Sequence, residues 1–460
     1  MRINNFEIES GSTYTAGIII TGLTSVVDAS STNNEIPTAK AVYDGYSSGS
    51  TSVGGSDKTV QYNNSGTQTG TTNFVFDNHK NAITVGTRAG VTGVYSSVFG
   101  KNCVADDDYT HAEGIDTIAS SNGAHAEGDS CVASASYSHA EGKETTASQH
   151  YSHAEGQGST ACGEVSHAQN RDTIASGYYS HAEGELTTAS GQSSHAQGFY
   201  TIATGKYSHT GGAGVNTYEL EASGEVAFNH SHRENTTPDV SGATGDYSAI
   251  LGGKNNSATG EGSSVLGGNG CVSSGLYSHA EGVETEASGN YSHAEGTGTI
   301  STGYASHTEG DKSVASGHYS HAEGALTEAT GRYSHAEGAV TEASGDGSHT
   351  GGYGYGSINK IIASGVSSFN HSTRENTTDY VSGATGDYSV ILGGKNNSAT
   401  HEGSVVLGGN GIESRAQFTT YVEKIEIDEQ SETSFIMKDA YSGARYNIIL
   451  SGGTLVPVAV

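Results

Sequence analysis

Tyr137-Ser138-His139-Ala140-Glu141-Gly142-Lys143-Glu144-Thr145-Thr146-Ala147-Ser148-Gln149-His150 is one unit, and Tyr151-Ser152-His153-Ala154-Glu155-Gly156 begins it again. From His139 to His153 the step is 153 − 139 = 14. The same step holds from His111 through His125, His139, His153, His167, His181 and His195 to His209. After an interruption it holds again from His279 through His293, His307, His321 and His335 to His349. A period without insertions predicts one coil of a stacked solenoid per unit, each coil packing on its neighbours.

Alternation along an extended segment sorts the side chains within a coil. Ser138 and Ala140 point one way, and Tyr137, His139 and Glu141 the other. Thr145 and Ala147 share a face on the second segment. A coil this short, with two bends, has no room for imidazoles inside, so Ala, Ser and Thr line the interior. The bends are expected at Gly142 and Gly177 and their equivalents.

Composition agrees with a narrow core. Apolar residues make up 33% of the 460, tryptophan is absent, glycine contributes 67 and proline only three. A wide interior at normal packing density cannot be filled from that set. The formal net charge of −30 opposes binding to phosphate backbones and anionic membranes, and favours solubility. No signal peptide or membrane-spanning helix is expected: Gly17, Thr21, Gly22, Thr24 and Ser25 interrupt the apolar run from Ala16 to Val27. Three of the four cysteines, Cys103, Cys131 and Cys271, fall in the slot that Thr145 and Thr187 occupy elsewhere, and Cys162 stands where Ser148 does. They read as small core residues, not as disulfide partners.

The register extends back to Ile83-Thr84-Val85-Gly86. Residues 83–412 form the shaft, about twenty coils, on the order of 100 Å at strand spacing. Two loop modules interrupt it, at 213–245 and 353–386. They are copies: Phe228-Asn229-His230-Ser231 returns as Phe369-Asn370-His371-Ser372, and Gly245 to Ala258 as Gly386 to Ala399. The coils beginning at Tyr247 and Ser263 each carry one extra residue. Residues 1–82 form an N-terminal region with a short helix starting near Ile36-Pro37 and a β-hairpin around Val60 to Gly66. Residues 413–460 form a β domain with strands at Phe418 to Ile427, Ser434 to Met437, Tyr446 to Leu450 and Leu455 to Val460.

Tyr247-Ser248-Ala249-Ile250-Leu251-Gly252 and Ser96-Ser97-Val98-Phe99-Gly100 resemble the head repeats of trimeric autotransporter adhesins, the YadA-type heads, over residues 83 to about 412. The resemblance implies an all-β chain: a left-handed parallel β-roll solenoid that forms a homotrimeric fibre, with the outward strand face at the three-fold axis. That family has apolar residues where this chain has His181 and Glu183. Ile36-Pro37-Thr38-Ala39-Lys40-Ala41-Val42-Tyr43 and Val60 to Gly66 are similar to segments of bacteriophage fibre and appendage proteins, as are the SHAEG-type repeats. Together they imply a structural, non-enzymatic virion fibre on head or tail that contributes to host attachment. Its partners would be its own copies, other virion proteins through the N-terminal region, and a host surface glycan or protein. The alternatives are a bacterial surface adhesin and a tailspike that degrades polysaccharide.

At that axis, the pairs His111 and Glu113, His139 and Glu141, His181 and Glu183, His279 and Glu281, and His321 and Glu323 are expected to form a polar trimer-interface ladder. A metal column is the sharper reading of the same residues. Gln169 and Gln197 replace Glu in two coils and Gly211 and Gly351 in two more, which favours hydrogen bonding, so neither metal nor cofactor is expected. Arg233-Glu234-Asn235 recurs as Arg374-Glu375-Asn376 in the loops. These six residues are either a receptor contact presented twice or a brace tying the loop to the shaft, and the brace is favoured. The tyrosine ladder reads as self-stacking. No nucleophile–base pair or phosphate loop recurs, so no catalytic residue is assigned.

Overall fold

A computed structural model describes residues 59–64, 67–77, 79–87, 90–91, 93–215, 218–234, 242–356, 359–375, 383–423, 436–438, 445–451 and 454–459. The helix expected near Ile36 lies outside them. Among the described residues there is no helix, so none is long and apolar enough to cross a membrane. The chain divides into two units, residues 1–239 and 240–460.

In the first unit, Thr59–Asn64 pairs antiparallel with Thr67–Asp77, which pairs antiparallel with Ala82–Thr87. From there every pairing between strands is parallel, with one isolated antiparallel bridge between Val215 and Tyr218. Ala82–Thr87 lies beside Ser97–Lys101, and the ladder continues through His111–Ile115 and each later histidine strand to Phe228–His232. The hairpin thus covers the open edge of the first coil, which would otherwise offer unpaired backbone groups. A second ladder of two- or three-residue strands, from Gly90–Val91 to Leu220–Ala222, runs alongside.

The second unit repeats the scheme from Ala249–Ile250 to Thr420–Val422, with short strands from Gly242–Ala243 onward. Eleven long-ladder strands in the first unit and twelve in the second give 23 parallel β-solenoid turns among the described residues. Thr420–Val422 still pairs parallel with Val405–Leu407, so the stack runs one coil past residue 412. Ile436–Lys438, Arg445–Ser451 and Thr454–Ala459 form a separate antiparallel sheet.

Register is strict from coil to coil within the histidine runs, and shifts between His371 and Thr373 in the second module. His139 faces His125 and His153, and Ala140 faces Ala126 and Ala154. The interior is as expected: Ser138, Ala140, Thr145 and Ala147 are buried. The serine before most of the ladder histidines also closes the turn, its hydroxyl donating to a carbonyl three residues back, as from Ser138 to Ala135 at 2.6 Å and from Ser320 to Gly317 at 2.7 Å. Each such bond contributes about 1 kcal/mol, and the repeat multiplies it.

All four cysteines are free. Cys103, Cys131 and Cys271 are buried in the threonine slot, and each thiol lies 3.2 Å from the carbonyl of a glycine eleven residues on.

Two expectations need correction. Gly142 is not a bend: it lies inside strand His139–Lys143 with φ of 108°. A Cβ there would meet the Gly156 carbonyl oxygen at 2.1 Å, so glycine is required by the stacking distance. The left-handed corners are Glu144 and Tyr151, with φ of 57° each. Tyr137 likewise sits at a corner (φ 59°), 57% exposed, and does not share a strand face with His139. Its ring stacks on Tyr151 at 5.4 Å, so the ladder exists, but along an edge.

Candidate functional site: the histidine face and the loop arginines

In-register strands put identical side chains about 4.8 Å apart, a spacing at which imidazole rings are in contact. From His125 to His195 the ring centroids are 4.5–4.9 Å apart and the planes nearly parallel. His293 to His335 repeats this. Towards the run ends the rings turn edge-on, at 79° between His111 and His125 and 84° between His279 and His293.

The carboxylates serve these rings in two ways. Near the start of each run a glutamate faces the histidine of its own coil: His111 Nε2 to Glu113 at 3.3 Å, His139 to Glu141 at 3.6 Å, His279 to Glu281 at 3.8 Å. Further along it reaches the next coil. Glu183 lies 3.3 Å from His195, and Glu323 3.5 Å from His335. In these coils the glutamate thus serves the histidine of the following coil. Glu183 also accepts from Gln169 of the preceding coil at 2.7 Å.

Burial lowers the pKa of His125, His139, His167, His181, His209 and His293. The neighbouring imidazoles add to this, and the nearby glutamates oppose both without reversing the outcome. These six rings are thereby held towards neutral imidazole. Such rings can accept as well as donate, and can ligate metals.

In the modules, the guanidinium of Arg233 donates to the Glu219 carbonyl at 3.0 Å and lies over the Tyr218 ring. Arg374 donates to the Lys360 carbonyl at 2.9 Å. Both bonds reach back by the length of one run coil, which is the geometry of a brace. Arg233 is only 8% exposed. Glu234 and Glu375 are exposed, Glu234 near His232 and Glu375 paired with Lys395 at 2.6 Å. Asn235 and Asn376 lie outside the described residues.

Sequence reasoning missed the buried asparagines. Asn229 donates to the Glu221 carbonyl and accepts from Ser231, and Asn370 does the same with the Ile362 carbonyl and Ser372. Their recurrence in the duplicated Phe-Asn-His-Ser was the available signal.

Searches against protein-family models and against curated proteins find no match for this chain.

Proposed function

We propose that the chain is a structural, non-enzymatic fibre protein that works as a homotrimer of left-handed β-rolls, of the kind found on phage virions. One observation carries the reading. The strict register is spent wholly on making identical turns around an interior of Ala, Ser and Thr, an architecture that supplies length and repeated surface. The histidine face supports self-association: it is in register and half-buried along one side of the roll. By the resemblance to YadA-type heads, that face lies at the three-fold axis. The region before the first coil attaches the fibre to other virion proteins, and the exposed corners and loops meet a host surface glycan or protein.

Mass determination in solution tests this. The expected species has three times the 47.0 kDa of one chain. A species at 47.0 kDa over a wide concentration range would remove the trimer. Release of oligosaccharide from host capsule would favour a tailspike instead.

A further inference from the structure

Self-association does not account for the inner edge of the histidine ladder. The Nε2 atoms of His125, His139, His153 and His293 are buried within a single chain, yet none has a hydrogen-bond partner. Buried ring nitrogens are rarely left so. A second chain laid on this face adds contacts outside an atom that its own chain already encloses. An ion seated between neighbouring rings would meet that atom directly.

The surroundings specify its chemistry. Glu127 lies 3.5 Å from His125 Nε2 and Glu141 3.6 Å from His139 Nε2. These distances are long for a hydrogen bond. They are close to the roughly 3.4 Å that separates two ligands of a tetrahedral ion with bonds of about 2.1 Å. The next imidazole supplies a third donor. The ligand atoms of His125, Glu127 and His139 lie within 4.8 Å of one another, as do those of His139, Glu141 and His153 and those of His279, Glu281 and His293. Closing the remaining gap requires an imidazole to tilt, and the ladder already holds edge-on rings at His111–His125 and His279–His293.

We propose that the histidine ladder binds divalent ions of the zinc, cobalt and nickel class in repeated sites of three protein donors, imidazoles and carboxylates together, with water completing the shell. Nitrogen and carboxylate donors in combination select that class over magnesium and calcium. The net charge of −30 concentrates cations around the chain. Gln169 and Gln197, which argued against a metal column on sequence, become gaps between sites. They also show that a coil accommodates glutamine at this position.

Five three-residue groups of this kind occur among the described residues, including two around Glu323. Two adjoining pairs share a member, His139 or Glu323, so 5 − 2 = 3 can fill at once.

The test uses the full chain, stripped of metal and carrying no histidine tag, at neutral pH with magnesium in excess. Zinc titrated by calorimetry should saturate near three ions per chain, and cobalt should develop the visible bands of low coordination number. The variant E127Q/E141Q/E281Q/E323Q keeps the shape of each side chain and should retain the circular dichroism of the parent. Its zinc affinity should fall at least about tenfold, the lower end of what losing even an outer-shell partner costs. If that variant misfolds, E281Q alone should remove one site of the three. Absence of saturable zinc binding, or affinity untouched by the Glu→Gln changes, would overturn the proposal. Because each site lies within one chain, the outcome does not depend on trimer formation.

Discussion

In the histidine runs every coil has the same length and closes around Ala, Ser and Thr, whereas the coils of the modules are longer and are filled differently. His209 pairs with Phe228, so that coil is longer by five; Phe369 pairs with Val390, so that one is longer by seven. The interiors hold Leu220 in the first module and Ile361 in the second, with Ile250 and Val265, and Ile391 and Val406, in the coils that follow them. A run coil sees a copy of itself above and below, so backbone groups pair automatically and only the closest approaches constrain residue type. A module coil meets unlike neighbours. Its extra backbone must be tied by side chains, and buried Asn229 and Asn370 do this in the modules, as Asn256 and Asn397 do in the coils that follow. Repetition makes stability in the runs; individual hydrogen bonds make it in the modules.

The sharpest way to break this contrast is with two glycine substitutions. Gly142→Ala places a methyl 2.1 Å from the Gly156 carbonyl at a left-handed φ, and should cost about 3 kcal/mol or more, seen as a large fall in the thermal midpoint. Gly252→Ala, in the coil that follows the first module, where an added Cβ meets nothing within 4 Å, should stay within about 0.5 kcal/mol. Equal losses would show that stacking distance does not set the glycine requirement.

A smaller effect separates the two kinds of interior. Asn370→Ala strands the Ile362 carbonyl and the Ser372 hydroxyl, and should destabilise by about 2 kcal/mol in denaturant unfolding. Thr145→Val, which removes a buried hydroxyl that bonds to nothing, should be neutral or slightly stabilising. A run as sensitive to Thr145→Val as a module is to Asn370→Ala would erase the distinction.

The gentlest probe is pH. The six histidines with lowered pKa take up protons in the unfolded chain from about 6.5 downward but resist doing so when folded. Their contribution is therefore fully present above about 6.5 and is lost as the pH falls through the lowered folded values. The melting temperature should be level between pH 7 and 8 and decline towards pH 5. A midpoint that rises on acidification would mean that the glutamates outweigh burial.

Much of this was legible in the chain. The histidine period set the coil, and alternation correctly buried Ser138, Ala140, Thr145 and Ala147 while leaving His139 and Glu141 outside. Slot identity kept Cys103, Cys131 and Cys271 out of disulfides. Reading Tyr137 on the same face failed, because alternation applies only within a strand and Tyr137 occupies a left-handed corner. Arg233 and Arg374 bond to backbone carbonyls, partners that the spacing alone did not name.

The sequence by itself determined the repeat, the direction in which each strand residue points, and the chemistry offered on the outer face, because these depend only on period and side-chain type. The tertiary structure alone decided why Gly142 must be glycine, which histidine each glutamate serves, and that ring nitrogens are enclosed without partners. Those depend on distances between coils of a few tenths of an ångström, and no one-dimensional pattern carries a distance between residues that meet only after the chain has wound.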